Sequence, residues 1–220
     1  MKFYKFDPKK YNFREIIEEY LEINDLENIY DSELKFESPR DCLNTHYHKL
    51  YDNKIKKNPK FLSLYKKFMN EYATKIVNFN FLFEKYPCIR VHQKNNVSVL
   101  DYHIDSEYLI PDGTYDVYKH EINFWMPLTN SYGTNSLWVE SFPKKKDYSP
   151  IEASYGDLIQ FNGATLCHGT EVNNTCQTRV SLDFRILPTK IYEENKKNLS
   201  ENVKNTLNNY YDKLSTILYN

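Results

Sequence analysis

His103 and Asp105, in the run Asp101-Tyr102-His103-Ile104-Asp105, and His168, in Leu166-Cys167-His168-Gly169-Thr170, are residue types that bind a divalent transition metal. Two imidazoles and one carboxylate on one face of a metal leave three positions open. That set suits Fe(II), which must take up a co-substrate and O₂ together. On a strand, the period of two would point His103 and Asp105 the same way. A His-x-Asp pair alone is a weak signal, so the segment after His168 carries much of the weight.

Eleven residues after His168 comes Arg179, in Thr178-Arg179-Val180-Ser181-Leu182-Asp183-Phe184-Arg185. Arg179, Ser181, Asp183 and Arg185 alternate with Val180, Leu182 and Phe184. The spacing predicts a strand with one apolar face and one polar face turned to the metal cavity. A guanidinium there can grip a carboxylate through a two-pronged fork, and the Ser181 hydroxyl can donate to the same group.

These residues resemble the motifs of Fe(II)/2-oxoglutarate-dependent dioxygenases, nearest to the phytanoyl-CoA-hydroxylase-like branch. Within it the chain is similar to oxygenase-like proteins of aminoglycoside and surface-polysaccharide biosynthesis. The matching stretches are Tyr102–Asp105, Glu121–Thr129, Thr134–Ser141, Gly156–Gly163 and the block from His168 through Asn173, Asn174 and Thr175 to Arg179. They fall within residues 88–188, in the family's order. Ser136 departs from the Gly that often follows Asn at the Asn135 turn. The resemblance implies Fe(II) on His103, Asp105 and His168, with 2-oxoglutarate as co-substrate, its far carboxylate on Arg179 and Ser181, and O₂ as oxidant. The implied outcome is hydroxylation of a small polar metabolite such as a sugar or nucleotide-linked sugar. Desaturation, epimerisation and ring closure use the same residues. Two alternatives are a non-catalytic binding module on the same fold and a cupin-type metal isomerase that does without 2-oxoglutarate.

Other side chains carry less specific signals. Glu121, Asn123 and Trp125 share a strand face that should line the cavity. There Asn123 is a candidate partner of the co-substrate or substrate, and Trp125 a candidate apolar wall. Arg90 and Arg185 place positive charge around the metal mouth, either for a substrate or for ion pairs with Glu121, Glu140 or Asp183. His46 and His48 lie close together but have no third ligand at a metal-binding spacing, which favours a surface or substrate-loop role. The run Lys144-Lys145-Lys146 after Pro143 reads as a solvated turn.

The elements that must position these groups are short strands. Alternation broken by Gly, Pro, Asn and Asp marks Cys88–Gln93, Val97–Tyr102, Glu121–Pro127, Ser136–Ser141, Asp157–Phe161 and Thr178–Leu187. Many short antiparallel strands in this space predict a mainly β protein with flanking helices, built on a double-stranded β-helix (a cupin-like jelly roll). Residues 1–87 read as mainly helical, 88–188 as the jelly-roll core with the metal site and 189–220 as a C-terminal helix, within a single domain. Phe13–Ile23 is amphipathic. Asn58-Pro59 caps a helix whose stripe of Phe61, Leu64, Phe68, Tyr72 and Ile76 should pack on the sheet. Ser200 caps a second stripe of Val203, Leu207, Tyr210, Leu214 and Ile217.

Composition sets outer bounds. A chain of 220 residues can bury a substantial core, to which 20 Tyr and 13 Phe contribute bulk. A net charge of −1 gives no field favouring nucleic acid or an anionic membrane surface. No segment has the apolar length of a membrane span or the apolar core of a signal peptide. Cys42, Cys88, Cys167 and Cys176 have no metal-ligand spacing and read as reduced thiols, an expectation of a cytoplasmic protein. The expected partner is a small polar molecule, with the oligomeric state left open.

Overall fold

The structure, a computed structural model, describes residues 1–30, 45–98, 101–108 and 115–215. Ten strands can be followed: β1 (Lys2–Lys5), β2 (Phe81–Glu84), β3 (Cys88–His92), β4 (Ile122–Pro127), β5 (Trp138–Val139), β6 (Ser149–Pro150), β7 (Asp157–Phe161), β8 (His168–Gly169), β9 (Arg179–Pro188) and β10 (Tyr211–Lys213). The helices are α1 (Phe13–Leu21), α2 (His46–Leu50), α3 (Pro59–Phe68), α4 (Thr74–Val77), α5 (Tyr115–Tyr118), α6 (Thr189–Asn195) and α7 (Glu201–Tyr210).

Seven strands form the larger sheet in the order β1-β7-β4-β9-β2-β10, with β3 also on β9. A three-stranded sheet, β6-β5-β8, forms the second layer. Every pairing is antiparallel. This is the double-sheet jelly roll that the strand pattern predicts. Alternation assigns the faces. Trp125, Ile159 and Phe161 pack with Leu137, Val139 and Ile151 between the layers. Phe124, Met126, Val180, Leu182, Phe184 and Ile186 point the other way, onto the helices.

α3 opens where Asn58 Oδ1 accepts from the amides of Lys60 and Phe61, with Pro59 in its first turn. Its apolar stripe departs from the expected one. A π turn over Met69–Ala73 separates α3 from α4 and shifts the helical phase. Within α3 the buried face runs Phe61, Tyr65 and Phe68, and past the phase shift it continues through Met69 and Ala73, while Leu64, Tyr72 and Ile76 are only partly buried. Truncating Phe61 or Phe68 to Ala would cost about 3–5 kcal/mol.

The larger sheet draws strands from outside residues 88–188. β1 pairs with β7 from Lys2↔Gln160 to Lys5↔Asp157, and β2 lies between β9 and β10. The C-terminal segment is a helix only as far as Tyr210, after which Tyr211–Lys213 joins β2. Leu214 packs on the main core from beyond that strand, and Ile217 lies outside the described residues, as does Cys42. Residues 99 and 100, within the strand expected over Val97–Tyr102, are also outside them.

Candidate metal centre

His103 and His168 are brought together by their own backbones. His103 N donates to His168 O and His168 N to His103 O, both at 2.9 Å, and this isolated bridge sets the imidazole centroids 4.5 Å apart. Asp105 does not continue a strand from His103, contrary to the period-two expectation. It opens a 3₁₀ turn, Asp105–Tyr108, and its amide donates to Gly163 O at 2.9 Å. The carboxylate nevertheless meets the imidazoles, with Asp105 Oδ1 3.5 Å from His103 Nε2 and 3.6 Å from His168 Nε2. The three potential ligand atoms all lie within 4.8 Å of one another.

Each imidazole is oriented by a carbonyl two residues upstream. His103 Nδ1 lies 3.0 Å from Asp101 O, and His168 Nδ1 lies 2.9 Å from Leu166 O. A carbonyl only accepts, so each Nδ1 donates to it and each Nε2 is turned toward Asp105. Burial lowers the His168 pKa against the pull of Asp105, which favours the neutral, ligating form. Burial alone would raise the Asp105 carboxyl, but the Arg185 guanidinium and the Asn123 amide counter it, and the carboxyl is held well below the usual carboxylate range. A neutral His168 imidazole and an ionised Asp105 carboxylate are the protonation states a divalent metal requires of them.

The same cavity is lined by Arg179, Ser98, Trp125, Leu137 and Thr170, and by Arg90 and Asp183. It is open to solvent, and its free space including the mouth is about 440 Å³. Arg179 is 1% exposed. Its Nε donates to Asn135 O at 3.0 Å, Nη1 to Ser181 Oγ at 2.8 Å and Nη2 to Ser98 Oγ at 2.9 Å. Among the described residues no carboxylate pairs with it, and burial draws its pKa down to about 9. His92 beside it stays neutral, because burial and Arg179 lower it to about 3.

The Asn135 turn aims its carbonyl at Arg179 because the Asn135 side chain accepts from Tyr132 N at 2.8 Å. Ser136 is extended there (φ −71°, ψ 165°), so Ser in place of Gly leaves the turn intact. Sequence reasoning missed Ser98 and the carbonyl of Asn135. Both meet Arg179 across the fold, and no local pattern marks them.

Several expectations change. Asn123 is not free for the co-substrate carboxylate: its Nδ2 donates to Asp105 Oδ2 at 2.7 Å and its Oδ1 accepts from Gly163 N at 3.1 Å. A Cβ on Gly163 would sit 2.7 Å from that amide, so the position requires glycine. Arg185 is held by protein carboxylates, which is the ion-pair alternative and not the substrate contact, with Asp105 and Glu84 as partners besides Glu121. Its Nη2 lies 3.0 Å from Asp105 Oδ2, with Glu84 and Glu121 at 3.6 and 3.7 Å. Arg90 pairs with Asp183 at 3.1 Å on the cavity wall. Trp125 is buried there and gives its indole N–H to Ser181 Oγ at 3.0 Å.

His46 is exposed, whereas His48 is buried on Thr45 Oγ1 at 2.7 Å. Neither belongs to a metal cluster among the described residues. The lysine run has a structural task. The amides of Lys144 and Lys146, two residues with positive φ, donate to the carboxylate of buried Glu140. That carboxylate also accepts from Cys167 N at 2.7 Å, next to His168.

The chain is 30% identical over 209 residues to the streptomycin biosynthesis protein StrG of Streptomyces griseus, covering 94% of this chain and 96% of that one. It belongs to the StrG family. No family model matches the chain. Solved structures of similar shape include CytC3 with Fe(II) and alpha-ketoglutarate (TM-score 0.48, 15% identity, 86% of this chain and 72% of that one). Another is HygX from Streptomyces hygroscopicus with nickel and 2-oxoglutarate (TM-score 0.45, 16% identity, 58% and 68%). At such scores these likenesses carry no functional argument. For this StrG-family protein the chemistry rests on the side chains of the cavity. No helix among the described residues is long and apolar enough to cross a membrane.

Proposed function

We propose that the protein is an Fe(II)/2-oxoglutarate-dependent oxygenase acting on a small polar metabolite such as a sugar or nucleotide-linked sugar. One observation carries this reading. A guanidinium with no anionic partner among the described residues, Arg179, is buried in the cavity that also holds two imidazoles and a carboxylate with convergent ligand atoms. A buried charge is costly unless paired, so this cavity is built to receive an anion.

The residues fit both groups. His103, Asp105 and His168 would hold Fe(II) and leave one side open. Arg179 would take the far carboxylate of 2-oxoglutarate. Ser181 would add to that contact: its hydroxyl already accepts from Arg179 and Trp125, which leaves its proton to donate. When bound, Fe(II) with 2-oxoglutarate and O₂ supplies oxidation coupled to decarboxylation. The chain itself fixes the imidazole tautomers, keeps Asp105 ionised and shields the cavity with Trp125, Leu137 and Phe161. The Arg90–Asp183 pair gives the wall both donors and acceptors for a hydroxylated or aminated ring. StrG is named for streptomycin biosynthesis, which supports a substrate of that kind.

The test is anaerobic addition of Fe(II) and 2-oxoglutarate. The weak visible charge-transfer band of the chelate is expected for the native protein and not for His168→Ala. A native protein that binds Fe(II) yet shows no band and no 2-oxoglutarate affinity would sink this reading.

A further inference from the structure

The two oxygens of Asp105 have different surroundings. Oδ1 faces the Nε2 atoms of His103 and His168 at 3.5 and 3.6 Å. Oδ2 accepts three hydrogen bonds: from Asn123 Nδ2 at 2.7 Å, Arg185 Nη2 at 3.0 Å and Arg185 Nε at 3.3 Å. From these contacts we infer that Arg185 is a positioning residue that restricts Asp105 to one-oxygen binding of the metal. The inference rests on the proposed ligand set and assigns Arg185 a role that the substrate reading did not.

The physical argument is one of counting. A six-coordinate metal held by two imidazoles and a single carboxylate oxygen keeps three positions open. A two-point chelator and a second small ligand require all three. If Asp105 swung to bind through both oxygens, only two would remain. A carboxylate oxygen with three charge-assisted or amide donors cannot turn to the metal without giving them up, and such bonds are the stronger kind.

Arg185 is itself fixed from behind. Glu84 lies 3.6 Å from Nη1 and Glu121 3.7 Å from Nε, and Nη1 donates to Tyr210 Oη at 3.4 Å. Tyr211 hydrogen-bonds Glu121 in turn. The end of α7 and the start of β10 thus back the metal centre through two side chains, although neither tyrosine lines the cavity. Guanidinium geometry suits the task, because one planar group meets Asp105 with two nitrogens while facing Glu84 and Glu121.

The experiment loads the protein with Co(II) alone and reads the carboxylate mode by X-ray absorption. 2-Oxoglutarate affinity is then measured by anaerobic titration. Arg185→Met is made with and without Glu121→Gln. The double variant replaces the Glu121 carboxyl that faces Arg185 with an amide that cannot ionise, and a thermal melt of each variant checks that it is folded. One-oxygen binding is expected in the native protein and two-oxygen binding in either Met variant. The Met variants should also weaken 2-oxoglutarate binding by about 10–100-fold, with Arg179 intact. Arg185→Lys should restore one-oxygen binding and part of the affinity. One-oxygen binding in the folded Met variants would overturn the inference. Absence of 2-oxoglutarate binding in the native protein would instead overturn the proposed function, and the Co(II) measurement would still decide the role of Arg185.

Discussion

Trp125 and Arg179 are joined through one hydroxyl. The Trp125 indole N–H and Arg179 Nη1 both donate to Ser181 Oγ, at 3.0 and 2.8 Å, and the guanidinium lies 5.6 Å from the Trp125 ring. The cation is therefore set by an aromatic face and a hydroxyl before any anion arrives, and little rearrangement opposes binding. Arg179→Ala should weaken 2-oxoglutarate by about 10–150-fold, the loss of a charge-assisted pair worth ~1.5–3 kcal/mol. Arg179→Lys should recover only part of this, because a point charge cannot reproduce the fork. Trp125→Phe keeps a ring and loses the indole donor, so a loss of about tenfold or less is expected. Isothermal titration on the metal-loaded protein measures all three. Unchanged affinity in Arg179→Ala would move the anion site elsewhere.

Replacing any one of His103, Asp105 or His168 with Ala should abolish specific metal binding while the protein stays folded. Metal at about 100 times its Kd stabilises a native protein by ~2.7 kcal/mol. Thermal melts with and without Co(II) should therefore show a metal-dependent rise in Tm for the native chain and none for the three variants. A variant that keeps the full rise removes its residue from the ligand set.

Local periodicity made part of this site legible. The alternation of Arg179, Ser181, Asp183 and Arg185 fixes which side chains face the cavity, because a strand has a period of two. The two imidazoles and Asp105 were legible through residue type and motif order. What escaped were contacts made across the fold. β1 and β10 are too short to announce themselves and become strands only by pairing with β7 and β2. The π turn that shifts the apolar stripe beyond α3 leaves no compositional mark. Ser98 and the Asn135 carbonyl reach Arg179 from distant loops, and Asp105 escaped as the partner of Arg185 because the position of Asp105 Oδ2 depends on the 3₁₀ turn.

Glu140 should prove to be a support for His168. Its buried carboxylate gathers the amides of Lys144, Lys146 and Cys167, and its own amide donates to Cys167 O at 3.0 Å. Glu140→Gln puts an amide N–H₂ against donors and leaves at least one of them unmatched. A lower Tm and weaker Co(II) binding are expected together, whereas Lys145→Ala, at an exposed side chain, should change neither. A Glu140→Gln protein with native Tm and native metal affinity would rule the support out.

Stability should respond to pH in opposite senses at two buried sites. Burial pushes the Glu121 carboxyl up to about 8 from an ordinary value of 4.5. Between those values the folded protein keeps a proton that the unfolded chain has released. The folded state therefore binds more protons, and stability falls as pH rises through that window, levelling off above about 8. Burial pushes His48 down to about 4 from 6.5, so there the unfolded chain binds the proton and stability falls as pH drops from 6.5 toward 4. Each effect is of the order of a few kcal/mol. Glu121→Gln retains an acceptor for Tyr211 and cannot ionise, so it should flatten the decline that accompanies rising pH up to about 8 and leave the decline on acidification in place. His48→Asn should flatten the acid decline only. Urea midpoints of the metal-free protein from pH 4 to 9 provide the measurement, and a fall between pH 6.5 and 8 as steep in Glu121→Gln as in the native chain would exclude Glu121 as its source.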